Sequence, residues 1–127
     1  MSAVKLLPAW LHGIADFASA AVLIVVALAV GGSGAAVATG VVIGIVLIVV
    51  SLLTDYPLGV VKVIPFVVHS AGDYGGAALL VAAPFVLGFD DSDRGLAWFY
   101  VGAGAALIAV SLVTNYQDAG PDEAQLT

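Results

Sequence analysis

Two histidines and two aspartates carry most of the chemistry this sequence offers. His12 and Asp16 stand four residues apart, as do His69 and Asp73. Residues i and i+4 share a helix face, so each pair can meet within one helix. Both pairs sit in the same frame, Pro-x-x-x-His-x-x-x-Asp followed by an aromatic residue, from Pro8 to Phe17 and again from Pro65 to Tyr74. Brought together, two imidazoles and two carboxylates suit a tetrahedral divalent ion such as Zn²⁺. Two facing histidines would alternatively clamp a haem, and the same groups would serve proton or ion handling. Against these stands a plainer reading, in which a His–Asp hydrogen bond satisfies two polar groups that a small bundle has to bury. That reading is preferred and no cofactor is expected, with a divalent metal on His12, Asp16, His69 and Asp73, or a haem, kept as the alternative.

The elements that must position these groups are membrane helices. Of 127 residues, 62% are hydrophobic and 9% charged, whereas soluble domains carry about a quarter of their residues as Asp, Glu, Lys or Arg. Four spans of roughly 20 residues would absorb nearly all of the apolar content. Continuous apolar runs favour helices over the alternating strands of a membrane barrel. Helices are predicted over about 7–30, 35–54, 64–88 and 96–116, with an acidic flexible tail over 117–127. His12 and Asp16 near the start of the first run argue for a span rather than a secretory signal.

An internal repeat organises the four helices. Residues 7–17 align with 64–74 at an offset of 57, and 44–56 with 104–116 at an offset of 60. The expected fold is therefore an all-α transmembrane four-helix bundle of two tandem hairpins, 1–63 and 64–116, related by a pseudo-two-fold axis along the membrane normal. One end collects the polar chemistry: His12, Asp16, His69 and Asp73, with Thr54-Asp55-Tyr56 and Thr114-Asn115-Tyr116 at the ends of helices two and four. Asp55, Asn115, Tyr56 and Tyr116 either complete the rim of a polar site or, as preferred, end the helices and anchor at headgroup level. The other half is almost blank, so no polar path crosses the membrane and a site open toward one face is expected rather than a pore. Gly40 with Gly44 and Gly72 with Gly76 are small-residue pairs suited to close helix approach. Pro84 should bend helix three. Trp10 and Phe66 at one end, and Trp98, Phe99 and Tyr100 at the other, read as interfacial belts.

Composition closes off several functions. Nine acids against three bases leave a net charge of −6, which removes the electrostatic basis for gripping nucleic acid. Without cysteine there are no disulfides, thiolate metal sites or thiol catalysis. Ser70 beside His69 makes no triad by adjacency, and no phosphate-cradling loop is present, so an enzyme is not expected. Lys5 and Lys62 at the His/Asp end outnumber Arg94 at the other, which places both termini in the cytoplasm.

The duplicated unit, its Pro-x-x-x-His-x-x-x-Asp frame and the stretch Asp73-Tyr74-Gly75-Gly76 through Pro84-Phe85-Val86-Leu87-Gly88-Phe89 resemble the SPW-repeat membrane proteins of bacteria and archaea. The resemblance covers nearly all of 7–116, although the Ser-Pro-Trp signature falls on Ala83-Pro84-Phe85, where proline alone matches. It implies a small prokaryotic integral membrane protein of paired repeats and carries no biochemical activity with it. The expected role is a non-enzymatic structural or assembly component in the lipid bilayer, a homo-oligomer or part of a larger membrane complex.

Overall fold

A computed structural model describes residues 2–117; the expected tail beyond Gln117 lies outside them. Four helices, α1 (Ala9–Val30), α2 (Gly34–Leu52), α3 (Phe66–Val86) and α4 (Arg94–Val113), are each long and apolar enough to cross a membrane. α1 packs along α2, and α3 along α4. Large apolar side chains such as Val25, Leu28, Val46, Leu79 and Phe85 face outward and are more than half exposed. That surface suits lipid tails and would be an aggregation liability in water.

Close packing inside each hairpin depends on glycine. A Cβ on Gly44 would stand 3.0 Å from the Ala20 carbonyl, and one on Gly104 would stand 2.7 Å from that of Ala77. These two contacts are counterparts in the two halves, and they let backbones approach as small residues do in membrane bundles. Gly72 and Gly76, expected to act as Gly40 and Gly44 do, meet nothing of this chain within 4 Å. They border the space between α3 and α2, where a small cleft leaves them without a close neighbour.

Between hairpins the seams are looser. A cleft of about 310 Å³ separates α1 from α4 beside Ala18, Ser19 and Phe99, and a smaller one of about 80 Å³ separates α2 from α3. The hairpins are instead tied at their two ends. At the end away from the histidines, the Tyr100 hydroxyl enters the hydrogen-bond ladder of α2, donating to the Ala36 carbonyl at 2.5 Å and accepting from the Gly40 amide at 3.0 Å. Asp93 joins the interhelical turns there, accepting from the Ser33 amide (3.0 Å) and hydroxyl (2.8 Å). These bonds hold the exposed Asp93 carboxyl below its usual range. Gly31 and Gly32 turn the chain with φ of 70° and 119°, values that favour glycine.

At the histidine end the helices stop earlier than the apolar runs suggest. α2 ends at Leu52 and α4 at Val113 rather than near 54 and 116; α1 and α3 begin at Ala9 and Phe66, just after Pro8 and Pro65. The residue before proline is pushed to extended backbone, and the freed segments pair. β1 (Thr54–Asp55) runs parallel to β2 (Ile64–Pro65), and Leu7 bridges Thr114 in the same sense. The final carbonyls of both helices, which have no partner within the helix, are thereby capped. Ala3 and Val4 donate to Leu112 as Val60 and Val61 donate to Leu52; Leu6 and Leu7 donate to Val113 as Val63 and Ile64 donate to Leu53, all at 2.7–3.0 Å.

Two expected interfacial aromatics are core residues. Phe66 is buried at the histidine end and Tyr100 is fully buried at the other, while Trp10 and Trp98 remain exposed. A Cβ at Gly40 would lie 2.5 Å from the Tyr100 hydroxyl and 2.8 Å from Ala27 Cβ. Gly40→Ala should therefore lower stability by about 1–3 kcal/mol through overpacking, measured as unfolding in detergent micelles. Gly76→Ala, made in open space, should be neutral or stabilising.

Candidate functional site

Each histidine reaches the aspartate of its own helix and that of the other hairpin. His12 Nε2 lies 3.2 Å from Asp16 Oδ1 and 3.0 Å from Asp73 Oδ2; His69 Nε2 lies 3.0 Å from Asp73 Oδ1 and 3.1 Å from Asp16 Oδ2. The result is a closed ring of two imidazoles and two carboxylates. The i,i+4 spacing aligns each pair on the inner face of α1 or α3, and packing of the hairpins joins the two pairs.

The outer nitrogens fix how the rings are protonated. His12 Nδ1 lies 2.7 Å from Thr114 Oγ1, and His69 Nδ1 lies 2.7 Å from Thr54 Oγ1. Each threonine hydroxyl donates its one proton to a carbonyl in the preceding helical turn, Val110 or Val50, at 2.6 Å. With that proton used, the hydroxyl can only accept from the imidazole, so both Nδ1 atoms carry hydrogen. Nε2 is thereby the nitrogen each ring turns toward the carboxylates, able to donate to them when protonated or to offer a lone pair when not.

The carboxylates are held from behind by phenols. Tyr56 donates to Asp16 Oδ2 at 3.1 Å and Tyr116 to Asp73 Oδ2 at 2.7 Å. Burial, with the nearby Asp16 charge added, pushes the Tyr56 phenol above its ordinary range, and burial with the Asp73 charge does the same for Tyr116. Both therefore stay protonated donors. Threonine and tyrosine arrive here because the chain turns back after α2 and α4, which carries their side chains inward beneath the extended pairs.

Phe66 covers the ring from the polar end. Its centroid lies 5.3 Å from His12, 5.9 Å from His69, 5.3 Å from Tyr56 and 4.8 Å from Tyr116. Its counterpart in the first half is Ala9, fully buried, so one large and one small residue share the middle. His12, Asp16, His69 and Asp73 are 1%, 1%, 2% and 5% exposed. The expected socket open toward one face is thus nearly closed, with Asp73 alone bordering a cleft, the small one between α2 and α3.

Among the described residues, four buried side-chain polar atoms make no hydrogen bond of ordinary geometry: Nε2 of His12 and His69, and Oγ of Ser51 and Ser111. They form two equivalent pairs. The two Nε2 atoms lie near carboxylate oxygens without an aligned N–H···O bond. One ligand atom from each of His12, Asp16, His69 and Asp73 can be chosen so that all lie within 4.8 Å of one another, an arrangement that could hold a metal ion.

No protein family, curated protein or solved structure matches this chain. The likeness to SPW-repeat proteins rests on the residues quoted for it alone.

The structure brings together six of the eight residues singled out from the sequence. Tyr56 and Tyr116 are not headgroup anchors; they are buried donors to the aspartates. Asp55 and Asn115 stay outside the ring, half-buried on the extended segments, where the Asn115 amide donates to the Leu7 carbonyl and its side chain accepts from Gln117. This is why aspartate and asparagine interchange there. A haem does not fit, because carboxylate oxygens within 3.2 Å of both Nε2 atoms leave no slot for a macrocycle. Sequence reasoning missed the ring roles of Thr54, Thr114 and Phe66; the strict recurrence of Thr-x-Tyr at an offset of 60 was the available signal for the threonines.

Nitrogen-15 NMR of the two imidazoles should show hydrogen on Nδ1 in both, and Thr114→Val should disturb His12 far more than His69. A phenol pKa raised by folding contributes stability below about pH 10 that fades as pH rises beyond it. Wild-type protein and the Tyr56→Phe/Tyr116→Phe variant should accordingly develop the same tyrosinate absorbance on alkaline titration until the fold is lost.

Proposed function

We propose that this chain is a non-enzymatic integral membrane protein in which the buried His/Asp ring is the joint that fixes two transmembrane hairpins into one rigid unit, and that the unit serves as a structural or assembly component. The observation that carries this reading is the crossing of the ring: His12 meets Asp73 and His69 meets Asp16, while the seams along the hairpins stay open. Lipid tails match apolar side chains as well as other helices do, so hairpin association within a bilayer draws on packing and polar contacts.

Near-complete burial argues against catalysis, since of the ring only Asp73 borders a cleft, and that cleft is small and otherwise lined by apolar side chains and glycine. The outer side of α3 around the exposed Gly75, which meets nothing within 4 Å, supports further helix packing by another copy or a partner membrane protein. The prokaryotic setting and cytoplasmic termini belong to the same proposal, supported by the SPW-like residues and by the lysines at the histidine end.

Removing one partner leaves a buried charge uncompensated, which costs about 3–5 kcal/mol. His69→Ala should lower stability by that order and broaden the distance between spin labels placed on α1 and α3, readable without background labelling because the chain has no cysteine. Asp55→Asn should change neither. An unchanged, narrow distance in His69→Ala would remove the joint from this account.

A further inference from the structure

We infer that the ring is a closed, four-coordinate site for a divalent first-row transition ion of the zinc type, with His12, Asp16, His69 and Asp73 as ligands. The inference names the ligand of the joint proposed above and rests on that reading for its consequence, though not for its geometry.

Three observations carry it. The first is the spacing. Bonds of about 2.0–2.2 Å from zinc to imidazole nitrogen and carboxylate oxygen set the ligand atoms of a tetrahedron about 3.3–3.5 Å apart. Each Nε2 has an oxygen of both aspartates at 3.0–3.2 Å, and one ligand atom from each of the four residues can be chosen with all of them within 4.8 Å of one another, so modest side-chain adjustment brings the set to tetrahedral spacing.

The second is the pair of Nε2 atoms, fully buried and without a hydrogen bond, both turned toward the same two carboxylates. The threonine contacts occupy Nδ1 on both rings, so Nε2 is the nitrogen left for a metal to bind.

The third is the surrounding shell. Metal-bound histidine donates its other N–H to an acceptor and ligating carboxylates are themselves hydrogen-bonded. Here Thr54 and Thr114 accept from the imidazoles, while Tyr56 and Tyr116 donate to the aspartates.

Charge and donor type narrow the ion. Two carboxylates and a dication held by neutral imidazoles sum to zero, a charge balance that a low-dielectric layer tolerates. Two nitrogens with two oxygens in tetrahedral reach select zinc or cobalt(II) over magnesium and calcium, which prefer six or more oxygens, and over copper(I), which prefers sulfur. All four positions are filled by protein, the pattern of a structural rather than a catalytic site.

The test uses the full chain purified in detergent. Elemental analysis should find one zinc per chain, and cobalt(II) titration of metal-stripped protein should give the intense visible bands of a four-coordinate ion, saturating at one equivalent. Thr114→Val keeps all four ligands and should weaken binding about 10–100-fold; His12→Ala/His69→Ala should abolish the bands, and Asp55→Asn should retain them. Wild-type protein that takes up neither zinc nor cobalt, octahedral cobalt bands alone, or equal binding by the histidine double variant would overturn the inference. Spin-label distances separate the two proposals. Hairpins that loosen in His69→Ala although wild type binds no metal leave the joint standing and the metal refuted. Stoichiometric metal with hairpins undisturbed in that variant gives the reverse.

Discussion

Everything in this structure answers to one constraint: two carboxylates and two imidazoles lie in the part of the chain least able to hydrate them. A charged group at membrane depth is expensive unless it is paired or faces the bundle interior, and here each polar group is held from two sides. Every aspartate oxygen has an imidazole against it, every outer imidazole nitrogen has a threonine, and each aspartate has a phenol. The helices, their early termination and the extended pairs beyond them are what this arrangement requires, because only a chain that turns back over the ring can bring Thr54, Tyr56, Thr114 and Tyr116 beneath the surface.

The division of labour along the molecule follows. Within a hairpin, glycine at 44 and 104 lets backbones touch, and packing is continuous. Between hairpins, apolar clefts remain along the middle, and cohesion is concentrated at the ends, in the His/Asp ring on one side and in Tyr100 and Asp93 on the other. The two hairpins are thus tied at two points with unfilled space between them.

The main architecture was legible because its signals are strong and local. Long apolar runs demand helices, and the 57- and 60-residue offsets alone place His12 with His69 and Asp16 with Asp73. What stayed hidden depends on contacts between segments far apart in sequence. α2 and α4 end two to three residues before the positions their apolar runs suggest; an apolar or neutral residue reads the same in a last helical turn and in a capping segment. Tyrosine at a membrane helix end ordinarily marks the headgroup layer, and nothing local reveals that Tyr56 and Tyr116 turn inward. Asp55 and Asn115 looked like neighbours of the site because they sit beside residues that are, yet period-two alternation in an extended segment sends adjacent side chains to opposite faces.

Phe66 opposite Ala9, and Tyr100 opposite Gly40, show where the two halves had to stop being alike. A residue lying on a two-fold axis meets its own mate: two phenylalanines at the first position would collide, and two alanines would leave a void. Two identical polypeptides cannot resolve that conflict, whereas a fused chain can give one half the bulk and the other the space. The linkage between hairpins thus does more than hold them near each other. It frees these positions from symmetry, so that at each end of the bundle a bulky buried residue in one half, Phe66 or Tyr100, has a small counterpart, Ala9 or Gly40, in the other.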